Sequence, residues 1–275
     1  MHRLAASLFA GAAAALLAPL PATAQSSDFE FDVDLELVLA VDVSRSMDVE
    51  EQRIQRQGYI DALTHPDVIE AALAGPLGRI AVTYFEWAGP GDRTMIVPWT
   101  LIGSAGDAAA FADKLNAAPA TRISGTSISG AIIYGGDLFG QAFNGYRQTM
   151  DISGDGPNNA GGPVLEARDA IVARGITING LPIMLNKVSS YGPYGVPNIN
   201  LDIYYEDCVI GGPGAFMVPV RDIDNFAEAI RQKLILEIAG VEPQIIPAAE
   251  TTAERRIDCL IGEKSRWGWY FDNRR

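Results

Sequence analysis

Asp42, Ser44 and Ser46 stand at i, i+2 and i+4, directly after an apolar run from Leu35 to Val41. One carboxylate and two hydroxyls, with no sulfur or imidazole among them, suit a hard divalent cation such as Mg²⁺. Three oxygens are too few to close such a site, so further ligands have to come from elsewhere in the chain or from a partner. The same residues also suit a plain strand-to-helix turn, in which the hydroxyls cap backbone groups and Asp42 ends the strand. Two later stretches bear on the choice. Gly125-Thr126-Ser127 stands where a loop of hydroxyls and glycines, 121–130, meets a helical pattern. Gly154-Asp155-Gly156 directly follows a strand-like stretch. Each alone is an ordinary cap or turn.

What would bring them together is the arrangement of the elements. The run 35–41 is almost continuously apolar, which marks a strand buried on both faces. Asp48 is placed as a helix N-cap, with Glu51 three residues on in the capping-box position. Further strands are expected over 79–86, 93–100, 147–153, 176–181 and 216–220, and Pro98 confines the second of these to a sheet edge. Helices are expected over 48–64 and from Pro66 to Gly75. Others should follow the cap Ser104, run from Ile128 through Ala131, Ile132, Gly135 and Phe139, and open with Pro163 at N1. A last helix follows the cap Asp222, with Ile223, Phe226, Ala227, Ile230 and Leu234 facing inward.

This alternation predicts an α/β fold: a Rossmann-like, doubly wound, mostly parallel sheet with one antiparallel edge strand. In a parallel sheet all strands end on the same edge, so Asp42, Ser44, Ser46 and Asp155 share it. The helix that starts near Thr126 can point its N-terminus there.

The ends of the chain read differently. Arg3, an apolar run to Leu20 and Ala22-Thr23-Ala24 make residues 1–24 a signal peptide rather than a membrane anchor. Its removal leaves 251 residues with 20 Lys and Arg against 34 Asp and Glu. That acidic balance argues against nucleic acid or an anionic membrane as partner. No other stretch is long and apolar enough to span a bilayer. Residues 25–240 form one domain, and 241–275 a C-terminal tail with a Pro- and Thr/Glu-rich linker and an aromatic end, Trp267 to Phe271. The segment 186–200 reads as a surface loop. In an exported chain Cys208 and Cys259 are expected to pair, tying the tail to the domain, with two free thiols as the alternative.

The segments Asp-Val-Ser-Arg-Ser, Ser-Gly-Thr-Ser and Ser-Gly-Asp-Gly, in that order, resemble the metal-ion-dependent adhesion site of the von Willebrand factor type A domain. The resemblance covers roughly Leu35 to Ala239 and is nearest to an uncharacterised bacterial group of exported type A proteins with a Cys-containing tail. It implies that Asp42, Ser44, Ser46, Thr126 and Asp155 hold Mg²⁺ or Mn²⁺, with Ca²⁺ also admissible, some directly and some through water. It also implies that an Asp or Glu of a protein partner takes the open position. One departure concerns Asp151, in a strand that is usually apolar throughout in the family. It faces a polar pocket, pairs with a basic group, stands behind the metal ligands, or competes with Asp155 for the ligand role; the glycines flanking Asp155 favour Asp155.

The expected function is therefore a non-enzymatic, exported binding module. A Mg²⁺-dependent hydrolase and a structural envelope protein are the alternatives. Against the hydrolase, the chain after residue 24 keeps a single histidine, His65, and has no Gly-x-Ser-x-Gly elbow or phosphate-cradling Gly-x-x-x-x-Gly-Lys.

Overall fold

The computed structural model describes residues 31–185, 200–240 and 256–265. Residues 1–30, 186–199, 241–255 and 266–275 lie outside the described residues, and with them the segments expected as a signal peptide, a surface loop, a linker and an aromatic end. Five strands order as β3-β2-β1-β4-β5: β1 (Phe31–Asp42), β2 (Ile80–Trp87), β3 (Arg93–Ile102), β4 (Phe143–Gly154) and β5 (Thr177–Pro182). All neighbours are parallel except β2 and β3, so the antiparallel strand is the Pro98-bearing edge.

The central strand β1 is buried from Val33 to Asp42 because it serves two cores. Leu35, Leu37, Leu39 and Val41 pack with α1 (Val49–Leu63), α2 (Pro66–Leu73), α3 (Ala105–Ala117) and α7 (Phe226–Ala239). Val38 and Ala40 face the other layer, with α4 (Ile128–Leu138), α5 (Val164–Val172), the short α6 (Leu201–Tyr204) and the π-helical turn Tyr205–Val209. The chain leaves β1 toward β2 on one side and returns through β4 on the other. The gap between the ends of β1 and β4 is thus the topological switch point, where open α/β sheets put ligands.

Asp48 caps α1 as expected: its side chain accepts from the Glu51 amide at 2.8 Å, and the Glu51 carboxylate accepts from the Asp48 amide at 2.8 Å. Three expectations need correction. Segment 216–220 is not a regular strand. It follows β5 through isolated bridges, Gly180 to Met217 and Ile183 to Val220: the Val218 and Val220 amides donate to the Gly180 and Pro182 carbonyls, but Pro182 has no amide to offer the Val218 carbonyl, so the ladder is interrupted. Pro163 precedes α5 as its N-cap instead of opening it at N1. Ile223 and Ala227 are exposed, because a 3-10 turn at Ile223–Asn225 comes before α7 and shifts the helical phase. The inward face of α7 is instead completed by Lys233 and Glu237 beside Phe226, Ile230 and Leu234.

Candidate metal centre

Four of the five sequence-predicted site residues meet in one hydrogen-bonded run. The Ser44 amide donates to Asp42 Oδ1 at 2.7 Å, the Ser44 and Ser46 hydroxyls share a bond of 2.7 Å, and Ser46 Oγ donates to Asp155 Oδ1 at 2.6 Å. Asp155 is 109 residues from Ser46, so the sheet, not local chain geometry, makes this contact. Thr126 is brought to the same rim through its backbone. Its amide donates to Asn159 Oδ1 at 3.0 Å and its carbonyl accepts from the Asn159 amide at 2.9 Å.

The loops hold station through partners that the sequence reading did not single out. Gln52, inside α1, donates to the Val43 carbonyl at 3.1 Å and fixes the turn after β1. Arg122 donates to the carbonyls of Met47 and Arg45 at 3.1 and 2.8 Å, lacing the Thr126 loop to the serine turn. Glu86, at the end of β2, accepts from Thr121 Oγ1 at 2.9 Å and from Arg56. An acid closing an otherwise apolar strand was the available signal for Glu86. Tyr205 had none: it lies 50 residues beyond Asp155 on a π-helical turn with no periodic pattern.

The electrostatics of the rim are unbalanced. Asp42 is fully buried and its Oδ2 has no hydrogen-bond partner. Burial first, and the nearby charge of Asp155 second, push its carboxyl well above the ordinary carboxylate range. The Tyr205 hydroxyl is likewise buried without a partner. It is raised by burial and then by the charges of Asp42 and Asp155. A side chain on Gly154 would place its Cβ 3.0 Å from both Asp42 Oδ2 and Tyr205 Oη, so these two groups close tightly over the glycine. Two carboxylates facing each other with a buried, unpartnered oxygen are costly as they stand. A divalent cation would neutralise both, and the surrounding hydroxyls would add dipoles without charge. The donor set fits such an ion. Among the described residues no group of three or more His, Cys, Asp or Glu side chains could hold a metal, so a cation here would depend on the serines.

Asp151 does pair with a basic group. It lies on the face of β4 turned toward α1 and α7, where Lys233 Nζ is 2.8 Å from its Oδ1 and Tyr59 donates to its Oδ2 at 3.2 Å. Met150 and Ile152 point into the opposite core, the one that receives Tyr205. His65 caps α2: its Nδ1 accepts from the Asp67 amide at 3.2 Å and its Nε2 meets Arg231 at 2.8 Å. Cys208 and Cys259 form a disulfide across 51 residues.

A family model described as "Protein of unknown function (DUF1194)" matches residues 32–242. Curated proteins give no match. Among solved structures, the pilus adhesin SpaC of Lactobacillus rhamnosus GG in its open conformation is similar at a TM-score of 0.55 and 16% identity, over 75% of this chain and 30% of that one. Proximal thread matrix protein 1 from the mussel byssus, with a zinc-occupied MIDAS motif, is similar at a TM-score of 0.50 and 12% identity, over 75% and 46%. A von Willebrand factor type A structure from Catenulispora acidiphila has a TM-score of 0.49 at 14% identity, over 75% and 43%. The chain thus spans less than half the length of each. At such identities the likeness is one of fold alone, a mostly parallel sheet flanked by helices.

Proposed function

The chain belongs to the DUF1194 family, and we propose that within it this protein is an exported, metal-dependent binding module that captures an acidic side chain of a protein partner. Asp42, Ser44, Ser46, Thr126 and Asp155 would hold Mg²⁺ or Mn²⁺, and the ion would act as a Lewis acid toward a partner carboxylate. The chain's own part is to hold the oxygens at the switch point, to keep Asp42 dry and to leave the Ser46 side open. The observation that carries this reading is the run from Asp42 through Ser44 and Ser46 to Asp155, which ends on a buried carboxylate oxygen with no partner.

Export is supported by the leader-like start of the sequence and by the cysteine pair. A protein partner is supported by the fold shared with a pilus adhesin. Among the described residues no helix is long and apolar enough to cross a membrane. No observation favours the hydrolase over this reading.

The test is calorimetric titration of Mg²⁺ and Mn²⁺ into the mature chain and into Asp42→Ala, followed by capture from an envelope fraction with and without EDTA. Binding is expected in the first protein and lost in the second, and capture should disappear in EDTA. Equal affinity of the two proteins for metal refutes the ligand assignment, and capture undiminished by EDTA refutes the mechanism.

A further inference from the structure

The loop that carries Asp155 is gripped from behind by a piece of chain that lies outside the family match. Residues 256–265 form a short turn and one helical stretch, 261–265, beyond residue 242 where that match ends. Cys259 ties this piece to Cys208 on the π-helical turn, and Arg256 adds bonds to Asp207, 2.8 Å from its amide and 2.9 Å from Nη2.

Its target is Asn158, three residues past Asp155 and fully buried. Every hydrogen-bonding group of that side chain is engaged. Nδ2 donates to Glu263 Oε1 at 2.6 Å and to the Gly162 carbonyl at 3.1 Å, and Oδ1 accepts from the Ser129 amide at 3.0 Å. The Asn158 amide donates to the Tyr204 hydroxyl at 3.2 Å, and that hydroxyl reaches the Cys259 carbonyl at 3.4 Å. Packing is equally close. A Cβ on Gly262 would lie 2.1 Å from the Asn158 carbonyl oxygen, so the tail backbone rests directly on the loop. The next residue, Asn159, makes the reciprocal pair of bonds with Thr126. One buried amide therefore connects the tail, the first turn of α4 and the loop that places Asp155, and its neighbour connects that loop to Thr126.

We infer that segment 256–265, pinned by the Cys208–Cys259 disulfide, is a positioning element of the rim site: through Glu263 and Gly262 it holds Asn158, and through Asn158 and Asn159 it sets Thr126 relative to Asp155. The consequence for metal binding rests on the function proposed above, whereas the clamp itself does not. Groups that orient metal ligands from behind usually change affinity by about 10- to 100-fold when removed. A tail that only covered hydrophobic surface would have no such effect.

The test uses the full exported chain with its disulfide intact and Mn²⁺ alone as probe. In Glu263→Ala, Mn²⁺ should bind roughly tenfold more weakly, and backbone amides at 126–130 and 155–163 should exchange faster with deuterium. Glu263→Gln keeps an acceptor oxygen for Asn158 Nδ2 and should restore both. Gly262→Ala should reproduce the alanine effect from the packing side. Unchanged exchange in Glu263→Ala overturns the clamp. Faster exchange with unchanged affinity overturns its role at the metal site, and so does a glutamine variant as weak as the alanine one. If the unmodified chain binds no Mn²⁺, the proposed function fails, while the exchange data still decide whether the tail holds the loop.

Discussion

At the scale of single residues the proposed metal site would trade protons for metal. With no cation bound, Asp42 is buried beside a second carboxylate, so its folded form holds a proton above the ordinary carboxylate range. A group raised in this way binds more protons folded than unfolded. The stability that it contributes to the metal-free chain is therefore present at low pH and declines as pH rises above the unfolded value. Binding of the proposed ion would reverse the sign, because the ion would have to displace that proton. Mn²⁺ affinity should fall on acidification, beginning well above about pH 4, where a free aspartate titrates. Calorimetry in buffers of different ionisation enthalpy will show the released proton directly. Affinity that stays flat until about pH 4 would mean that Asp42 is already ionised and that its burial is compensated by something other than the cation.

At the scale of elements, α7 shows where reading by pattern stops. Its apolar positions Phe226, Ile230 and Leu234 were legible as a stripe, but Lys233 and Glu237 were not, since charged residues on a helix normally face water. They are buried because Asp151 of β4 waits opposite: Lys233 lies between Asp151 and Glu237, and Asn179 of β5 donates to Glu237 at 2.9 Å. No local rule links residues 151, 179 and 237. The fate of 216–220 was missed for a related reason: its apolar run is that of a strand, and only the pairing with β5 reveals that Pro182, which has no amide to donate, breaks the ladder there. Two carboxylates on one ammonium leave a negative charge over, and burial pushes Glu237 up from 4.5 to about 7 against the pull of Lys233. Between those values the folded chain holds a proton that the unfolded chain has lost, so stability falls as pH rises across the window. Glu237→Gln should remove that part of the decline, a few kcal/mol at most. Urea unfolding of both proteins in EDTA, near pH 5 and about pH 7.5, isolates this group, because Asp42 titrates alike in both. Parallel pH slopes would show that the triad carries no excess charge.

At the scale of the whole molecule, the rim has to work against the body that carries it. The fold class, the antiparallel edge and the shared rim of Asp42, Ser44, Ser46 and Asp155 were all legible in the sequence, because strand alternation and a parallel sheet force them. The strand order that makes β1 and β4 neighbours was not, since it is decided by which faces the crossover helices cover. The chain's formal charge is −13. A partner that is itself net negative would meet long-range repulsion from such a body and find attraction only in direct contact with the proposed ion. Salt screens the first and hardly touches the second, since the Debye length falls from about 10 Å at 0.1 M to about 3 Å at 1 M while a metal–carboxylate contact is far shorter. Once a partner is in hand, raising NaCl from about 0.05 to about 0.5 M at saturating Mg²⁺ should leave its affinity unchanged or increase it, with the gain in the association rate. Surface plasmon resonance can resolve the two rates. A loss of affinity by orders of magnitude over that range would instead show that a basic surface patch makes the capture, and the ion would then not be what the partner recognises.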